Sequence, residues 1–197
     1  GGCAIGARPV NLHLKALEEM GAKIKLEGGY IDATCSRLKG AKIIFDKVTV
    51  TGTENIMMAA ALAKGQTVIE NAACEPEVLD LAIALNQMGA NVHGAGTPVI
   101  TIDGVDHLCG AEHRVIPDRV EAGTFMIAAA ITRGHVFLDN MDFLHVEALS
   151  RKLMEAGARV IDHGNRLEVL GPKEIKPVDI ITDPYPGFAT DFQAQFT

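Results

Sequence analysis

The residues most suited to chemistry lie in the first nine positions, which read GGCAIGARP. Cys3 lies among three glycines, and glycines at this density favour a mobile loop. Pro9 suits the first turn of a following helix, where the cationic Arg8 is unfavourable unless an anion binds beside it. The guanidinium and the helix dipole would lower the pKa of the Cys3 thiol below its usual value of about 8.5. From the residues alone, this is either an activated thiol beside an anion site or a flexible loop with an incidental cysteine.

Two aspartates and one lysine give weaker signals, each with an ordinary structural explanation. The pattern TDFQ at 190–193 is a capping box with Asp191 in the first turn, and on sequence alone this structural role is favoured. Asp118 follows Pro117 and is suited to be the N-cap of the next helix. Lys47 flanks a short apolar run and is typical of a solvated lysine. Spacing alone assigns none of them to catalysis.

Composition excludes several classes of function. The net charge of −7 argues against nonspecific nucleic-acid binding, and no apolar run approaches the roughly 20 residues that span a bilayer. The four cysteines, at positions 3, 35, 74 and 109, form no CxxC pair, so reduced cytoplasmic thiols are expected. The histidines lack metal-ligand spacing, and we expect neither a metal nor a cofactor. Because Gly1 is not an initiator Met, we expect a piece of a longer protein.

A repeat of 68 residues organises the chain. Gly21, Gly89 and Gly157 each lie in a similar Gly-Ala pattern, and each follows an amphipathic stripe. The stripes predict helices that end at these glycines in a left-handed conformation. After each glycine, two β-branched runs broken by Gly or Asn predict a strand, a turn and a second strand. The predicted strand pairs are 23–26 with 30–33, 91–93 with 98–102, and 159–161 with 166–170.

Alanine-rich helices complete the repeat. Residues 56–63 and 125–131 are apolar nearly all round, which predicts helices buried inside a domain. Each is followed by a Gly and an apolar strand that ends at Asn71 or Asn140. The repeating unit is therefore strand, alanine-rich helix, strand, amphipathic helix and two strands. A further strand is expected at 113–116, followed by a domain boundary before Pro117.

Six segments in order along the chain resemble one family, the UDP-N-acetylglucosamine 1-carboxyvinyltransferases. Single segments are weak signals, but six collinear ones are specific. They are GCAIGARPV at 2–10, RLKG at 37–40, DKVTV at 46–50, ENAA with EPE at 70–77, PDRVEAGT at 117–124, and TDFQAQF at 190–196.

The resemblance implies an α/β architecture, the enolpyruvyl transferase fold, an inside-out α/β barrel whose two domains are built from repeated βαβαββ units. Residues 1–116 would form most of the first domain and residues 117–197 part of the second. It implies a cleft between the domains, at which helix N-termini receive anionic substrates. Because terminal segments of the family are absent here, the chain by itself is expected to be weakly active or inactive.

The implied reaction transfers the enolpyruvyl group of phosphoenolpyruvate to the 3-hydroxyl of UDP-N-acetylglucosamine and releases phosphate. In this resemblance Cys3 matches the proton donor, which also forms a covalent adduct and is alkylated by fosfomycin. Asp191 matches the residue that acts as base on the sugar hydroxyl, and Arg8 stabilises phosphate. It further implies a cytoplasmic enzyme of peptidoglycan synthesis and cell-wall biogenesis, with effects on cell shape, cell cycle and division; the oligomeric state stays open.

The resemblance also assigns substrate contacts and hinge residues. Departures from the family are mild: Ala4, Asn11 and Thr49 stand where Thr, Asp and Ser are expected in some relatives. Two alternatives remain, a shikimate-pathway enolpyruvyl transferase, which uses no such thiol, and a noncatalytic repeat protein whose Gly-rich loop binds a partner. The substrate contacts are Arg8, Pro9, Val10, Asn11, Leu12, Lys47, Val48, Thr49, Val50 and Asp191, and the hinge and cleft residues are Asp118, Arg119 and Glu121.

Overall fold

The computed structural model describes residues 10–197 and divides after Arg114 into two compact units. Unit 1 ends at Arg114, and unit 2 comprises residues 115–197. Each unit buries its own hydrophobic core.

Unit 1 contains three helices and two sheets in its described part. A two-stranded antiparallel sheet joins β1 to β2, and a four-stranded sheet has the order β3-β4-β6-β5. Only β3 and β4 run parallel, while β6 lies antiparallel to both of its neighbours. The elements are α1 (Asn11–Glu19), β1 (Lys23–Glu27), β2 (Tyr30–Thr34), β3 (Lys42–Ile44), α2 (Val50–Ala61), β4 (Gln66–Glu70), α3 (Pro76–Gln87), β5 (Asn91–His93) and β6 (Val99–Asp103).

The four-stranded sheet of unit 1 buries one face against its helices. Thr67 and Ile69 of β4 are fully buried, as are Ile100 and Ile102 of β6. Because side chains alternate between the two faces of a strand, this spacing of two places all four on the same side. The helices α2 and α3 contribute Ile56, Met57, Val78 and Ala82 to the same core.

Unit 2 has a three-stranded antiparallel sheet in the order β7-β9-β8. Leu167 and Val169 of β9 are fully buried and pack with Met126 and Leu149 in its core. Its elements are α4 (Arg119–Thr132), β7 (His135–Asp139), a 3₁₀ turn (Phe143–Val146), α5 (Glu147–Glu155), β8 (Arg159–Asp162), β9 (Arg166–Leu170), a second 3₁₀ turn (Thr190–Phe192) and α6 (Gln193–Phe196).

The predicted repeat is confirmed by backbone geometry. Gly21, Gly89 and Gly157 follow the ends of α1, α3 and α5 with φ values of 94°, 97° and 103°. Only glycine adopts such angles without strain, so each helix ends where the sequence predicted. Asn71 and Asn140, at equivalent repeat positions, are also left-handed, with φ of 58° and 59°. The order β3-α2-β4-α3-β5-β6 reproduces one complete predicted unit.

Two local predictions are wrong. Residues 113–116 form no strand in the described part of the chain. His113 lies instead against α3, with Nε2 2.9 Å from Asp80 Oδ1 and Nδ1 3.0 Å from Gln87 Oε1. These side-chain contacts hold the segment on a helix, so that its backbone does not join a sheet.

The alanine-rich helices are not buried on all sides. In the structure each helix packs one face on its own core and leaves large apolar side chains exposed on the other. Met58 of α2 is 49% exposed, and Phe125 and Ile131 of α4 are 53% and 66% exposed. The apolar pattern of α2 and α4 predicts that these helices are buried. In each described unit, however, one face of the helix is buried and the other is exposed.

Candidate functional site

The predicted reactive segment lies outside the described residues. Cys3, Arg8 and Pro9 belong to positions 1–9, so their predicted roles stay predictions. The neighbouring contacts are described: Val10 is the N-cap residue of α1, and Asn11 begins the helix. Leu12 packs partly buried against the core of unit 1.

Residues 47–50 form the turn between β3 and α2, which we call turn 47–50. Lys47 and Val48 are exposed, and Lys47 forms no ion pair with a described residue. Thr49 is the N-cap of α2, and its Oγ1 accepts a hydrogen bond of 3.2 Å from Gly52 N. Val50 is the first helical residue. The turn therefore presents a lysine beside the N-terminus of a 12-residue helix.

Contacts from α1 bring the first predicted substrate segment next to turn 47–50. Lys15 Nζ lies 3.7 Å from Asp46 Oδ2, one residue before Lys47. His13 Nε2 lies 3.5 Å from Thr51 Oγ1, in the first turn of α2. The structure thus places residues 10–12 and 47–50, which are far apart in sequence, on adjacent helix starts of one unit.

The local charge at both helix starts suits an anion. Neither α1 nor α2 has an acidic residue in its first turn. Because unsatisfied backbone N–H groups give a helix N-terminus a partial positive charge, a phosphate group is stabilised there. The predicted substrate contacts at residues 47–50 are compatible with this geometry.

Carboxyl groups gather one turn further along α2. Burial, followed by the negative charges of Glu77 and Glu75, raises the pKa of Glu54. Burial and Glu75 also raise the pKa of the Cys74 thiol. A thiol with a raised pKa holds less thiolate at neutral pH and is a poorer nucleophile.

In unit 2, Asp118 is the N-cap of α4. Its Oδ1 accepts hydrogen bonds from Val120 N at 2.8 Å and Glu121 N at 3.1 Å. Arg119 is mostly buried, and its guanidinium carbon lies 5.7 Å from the centre of the Tyr185 ring. The capping alternative for Asp118 is therefore confirmed, and the hinge role of Asp118, Arg119 and Glu121 stays a prediction.

Asp191 lies in the 3₁₀ turn Thr190–Phe192 and is exposed. The predicted capping box is wrong, because Ala189 occupies the N-cap position and no described side chain caps the turn. The predicted place of Asp191 in the first turn is confirmed. Phe192, the next residue, is buried in the core of unit 2 and packs edge-on to Phe188 with ring centres 5.9 Å apart. The buried ring therefore anchors the backbone that carries the Asp191 carboxylate.

Two residues that support these positions were missed by the sequence analysis. Thr53 is fully buried and hydrogen-bonds Thr49 O, four residues earlier. Gly123 of α4 lies directly against Phe192. The Thr49/Thr53 spacing of four at a helix start, and a lone glycine inside an apolar helix, were the available signals.

No helix among residues 10–197 is both long enough and apolar enough to cross a membrane. The same residues contain no group of three or more His, Cys, Asp or Glu side chains arranged to hold a metal ion.

Curated relatives match the whole chain. A protein from Geotalea daltonii is 59% identical over 196 residues, and one from Acidobacterium capsulatum is 57% identical over 197. Both are named UDP-N-acetylglucosamine 1-carboxyvinyltransferase, which confirms the resemblance drawn from the six sequence segments. The match covers 100% of this chain but 47% and 45% of those proteins, so the chain spans about half the length of its relatives.

Solved structures establish the fold. The enolpyruvyl transferase NikO from Streptomyces tendae superposes with a TM-score of 0.78 at 20% identity, covering 95% of this chain and 48% of its own. An EPSP synthase from Acinetobacter baumannii gives a TM-score of 0.63 at 24% identity, covering 87% and 41%. The predicted enolpyruvyl transferase fold is confirmed. The sequence profile described as EPSP synthase (3-phosphoshikimate 1-carboxyvinyltransferase) matches residues 1–197, and the chain therefore belongs to the EPSP synthase family.

Proposed function

We propose that the full-length protein transfers the enolpyruvyl group of phosphoenolpyruvate to the 3-hydroxyl of UDP-N-acetylglucosamine and releases phosphate. The observation that carries this proposal is the adjacency of the starts of α1 and α2. These are the two segments that the sequence resemblance assigns to the UDP-sugar, and contacts from His13 and Lys15 join them. The names of the curated relatives supply the substrate identity.

In this proposal the diphosphate of the UDP-sugar binds at turn 47–50. The backbone N–H groups of Val50 and Thr51 donate to phosphate oxygens, because those of Gly52 and Thr53 already donate to Thr49. Lys47 supplies a positive charge. Thr49 already uses its hydroxyl oxygen to accept from Gly52 N, so its hydroxyl proton is available to donate to a phosphate oxygen. Residues 10–12 at the start of α1 contact the same substrate.

The addition step requires two proton movements. Asp191 takes the proton of the sugar 3-hydroxyl as its oxygen attacks C2 of phosphoenolpyruvate, and Cys3 delivers a proton to C3. Phosphate then leaves, a proton from C3 returns to the Cys3 thiolate, and the proton held by Asp191 passes to the released phosphate, which restores the double bond in the product and both side chains. Arg8 stabilises the phosphate as it leaves, because guanidinium binds phosphate in a bidentate fashion. Cys3 as thiolate also forms the covalent adduct with the enol substrate.

The reaction proposed here is the first committed step of peptidoglycan synthesis, and we place it in the cytoplasm. Both substrates carry phosphate groups, and the chemistry needs no metal or organic cofactor. The acceptor sugar distinguishes this reaction from that of a shikimate-pathway relative, which would use 3-phosphoshikimate as acceptor.

Phosphate release by the full-length protein tests the proposal. With phosphoenolpyruvate, we expect turnover on UDP-N-acetylglucosamine and none on 3-phosphoshikimate, and we expect Cys3→Ser to lower kcat at least about 100-fold. Turnover on 3-phosphoshikimate alone would transfer the assignment to the shikimate-pathway alternative.

Fosfomycin labelling provides an independent test of the thiol. Cys35 and Cys109 are exposed, so they are internal controls for nonspecific alkylation. We expect modification at Cys3 alone, promoted by UDP-N-acetylglucosamine and reduced by phosphoenolpyruvate. Equal labelling of all accessible cysteines would contradict the assignment and favour a noncatalytic protein.

A further inference from the structure

Thr53 uses its buried hydroxyl to join two segments of unit 1. Its Oγ1 donates to Thr49 O at 2.8 Å and accepts from Ala73 N at 3.0 Å. The first partner is the N-cap residue of α2, and the second lies in the connection from β4 to α3. The side chain therefore links turn 47–50 to a segment more than twenty residues away.

Both hydrogen-bonding capacities of this hydroxyl are used for that link. A threonine has one O–H proton, which is given to Thr49 O, and a lone pair that receives the Ala73 N–H. Thr53 and Ala73 are both fully buried. Removal of the hydroxyl would leave the Ala73 N–H without its partner in a place that water does not reach.

Gly52 contacts the side chain of Thr49. Its N–H donates to Thr49 Oγ1, and a Cβ added to Gly52 would lie only 2.9 Å from that oxygen and 3.2 Å from Thr49 Cβ. The Thr49 side chain thus packs directly on the glycine backbone. The Thr49 backbone carbonyl accepts from the Thr53 hydroxyl, and the Thr49 hydroxyl oxygen accepts from Gly52 N. Neither group of Thr49 therefore rotates freely.

We propose that Thr53 is a positioning residue for the diphosphate of the UDP-sugar, acting through Thr49. This inference rests on the proposed function and adds a residue that touches no substrate. The link to Ala73 holds the first turn of α2 in place, and with it the N–H groups that receive phosphate. Without the link, Thr49 and the helix start sample other positions, which weakens binding of the UDP-sugar while the chemical step is unchanged.

Steady-state kinetics of the full-length enzyme test the inference. We expect Thr53→Val, which has the same shape but no hydroxyl, to raise the KM for UDP-N-acetylglucosamine about tenfold, equivalent to about 1.4 kcal/mol. The kcat and the KM for phosphoenolpyruvate stay within about twofold. Thr53→Ser keeps the hydroxyl and restores the KM of the wild type. An equal loss in every parameter, or no rescue by serine, would refute positioning and leave a general structural role.

A matched control lies in unit 2. Thr132 Oγ1 donates to Ala128 O at 2.7 Å, the same bond from a helical threonine to the carbonyl four residues earlier. Thr132→Val should leave the KM for the UDP-sugar unchanged. If the wild-type enzyme has no turnover with these substrates, the proposed function fails; if it is active and Thr53→Val has the kinetics of Thr132→Val, only the inference fails.

Amide exchange of the wild-type protein gives a result even if Thr53→Val does not fold. We expect saturating UDP-N-acetylglucosamine to slow exchange at Gly52 N and Ala73 N together, because one hydroxyl connects their segments. Slower exchange at Gly52 with no change at Ala73 would overturn the inference.

Discussion

Replacing Gly123 by Ala should displace Asp191 without touching it. Gly123 is buried in α4, and an added Cβ would lie 2.7 Å from Leu149 Cδ2 and 2.8 Å from Phe192 Cζ, with Phe192 Cε1 closer still. Ordinary contacts of this kind measure 3.4–4 Å, so Cζ must withdraw by about 0.6 Å and the closer Cε1 by more. Because Asp191 precedes Phe192 directly, the carboxylate moves with it.

The expected magnitudes follow from two opposing effects on stability and one effect on rate. Alanine gains about 1 kcal/mol over glycine inside a helix, whereas overpacking a core costs about 1–3 kcal/mol. The net loss of unfolding free energy is therefore between about 0 and 2 kcal/mol. Misplacement of a catalytic group by about 1 Å can cost about 100-fold in rate, so we expect kcat to fall roughly 10- to 100-fold in a protein that remains folded.

Urea unfolding and kcat measured on the same full-length preparation separate these effects. Gly110→Ala is the control, because a Cβ at Gly110 meets nothing within 4 Å. A second substitution, Phe192→Leu, removes the ring atoms that clash and should recover part of the stability lost in Gly123→Ala. If Gly123→Ala keeps the kcat and the unfolding midpoint of the wild type, then Phe192 does not position Asp191 and the argument fails.

Three further predictions concern stability and are checked by urea unfolding. Burial, Glu77 and Glu75 raise the pKa of Glu54, so its ionisation lowers the free energy of unfolding as pH rises from its pKa in the unfolded chain through its pKa in the folded one. Glu54→Gln should therefore raise the free energy of unfolding by about 0.5 kcal/mol at pH 7 and leave it unchanged below pH 4. An equal increase at both pH values would contradict the electrostatic cause. Arg37 donates to two backbone carbonyls and one carboxylate, and Arg37→Met should cost about 1–3 kcal/mol, whereas a loss below about 0.3 kcal/mol would mean that water replaces these bonds. Thr49→Ala should lose the cap of α2 at about 1 kcal/mol while Thr49→Ser loses a few tenths, and equal losses would show that the Thr49 methyl group, not its hydroxyl, stabilises the helix.

Local patterns predicted most of the fold. Glycine alone tolerates the backbone angles that end α1, α3 and α5, so its spacing revealed the repeat and the helix ends. Residues 113–116 show where local patterns fail, because their β-branched residues predict a strand that the structure does not contain. In the structure His113 makes two contacts with α3, and no local rule anticipates partners more than twenty residues away.

The sequence predicted the segments of the candidate site but not their positions relative to one another. The sequence identified turn 47–50 and residues 10–12 through resemblance, but their adjacency depends on helix packing that only coordinates reveal. The TDFQ pattern suggested a capping box with Asp191 in the first turn, whereas the backbone enters a 3₁₀ turn with Ala189 at the N-cap and Asp191 in its first turn. Phe192, buried two positions after Thr190, determines that geometry more strongly than a capping hydrogen bond of about 1 kcal/mol.

The proposed anion site lies in a chain of acidic net charge, and a helix N-terminus and a nearby cation act on an anion there at short range. The chain carries −7 overall, but charges more than a Debye length away, about 8 Å at physiological salt, are largely screened. The first turns of α1 and α2 carry no carboxylate, Asp46 beside the turn lies 3.7 Å from Lys15, and exposed Lys47 adds to the helix dipoles. Glu54 lies one turn further along α2, where burial and the negative charges of Glu77 and Glu75 raise its pKa, and when ionised it adds negative charge near the helix start. Neutralising Glu54 should therefore strengthen UDP-sugar binding modestly, by a factor of about two to five, whereas removing Lys47 should weaken it by a similar factor. Titration of both variants with UDP-N-acetylglucosamine at low and high salt tests this, and effects that do not shrink with salt would show that the field is not their cause.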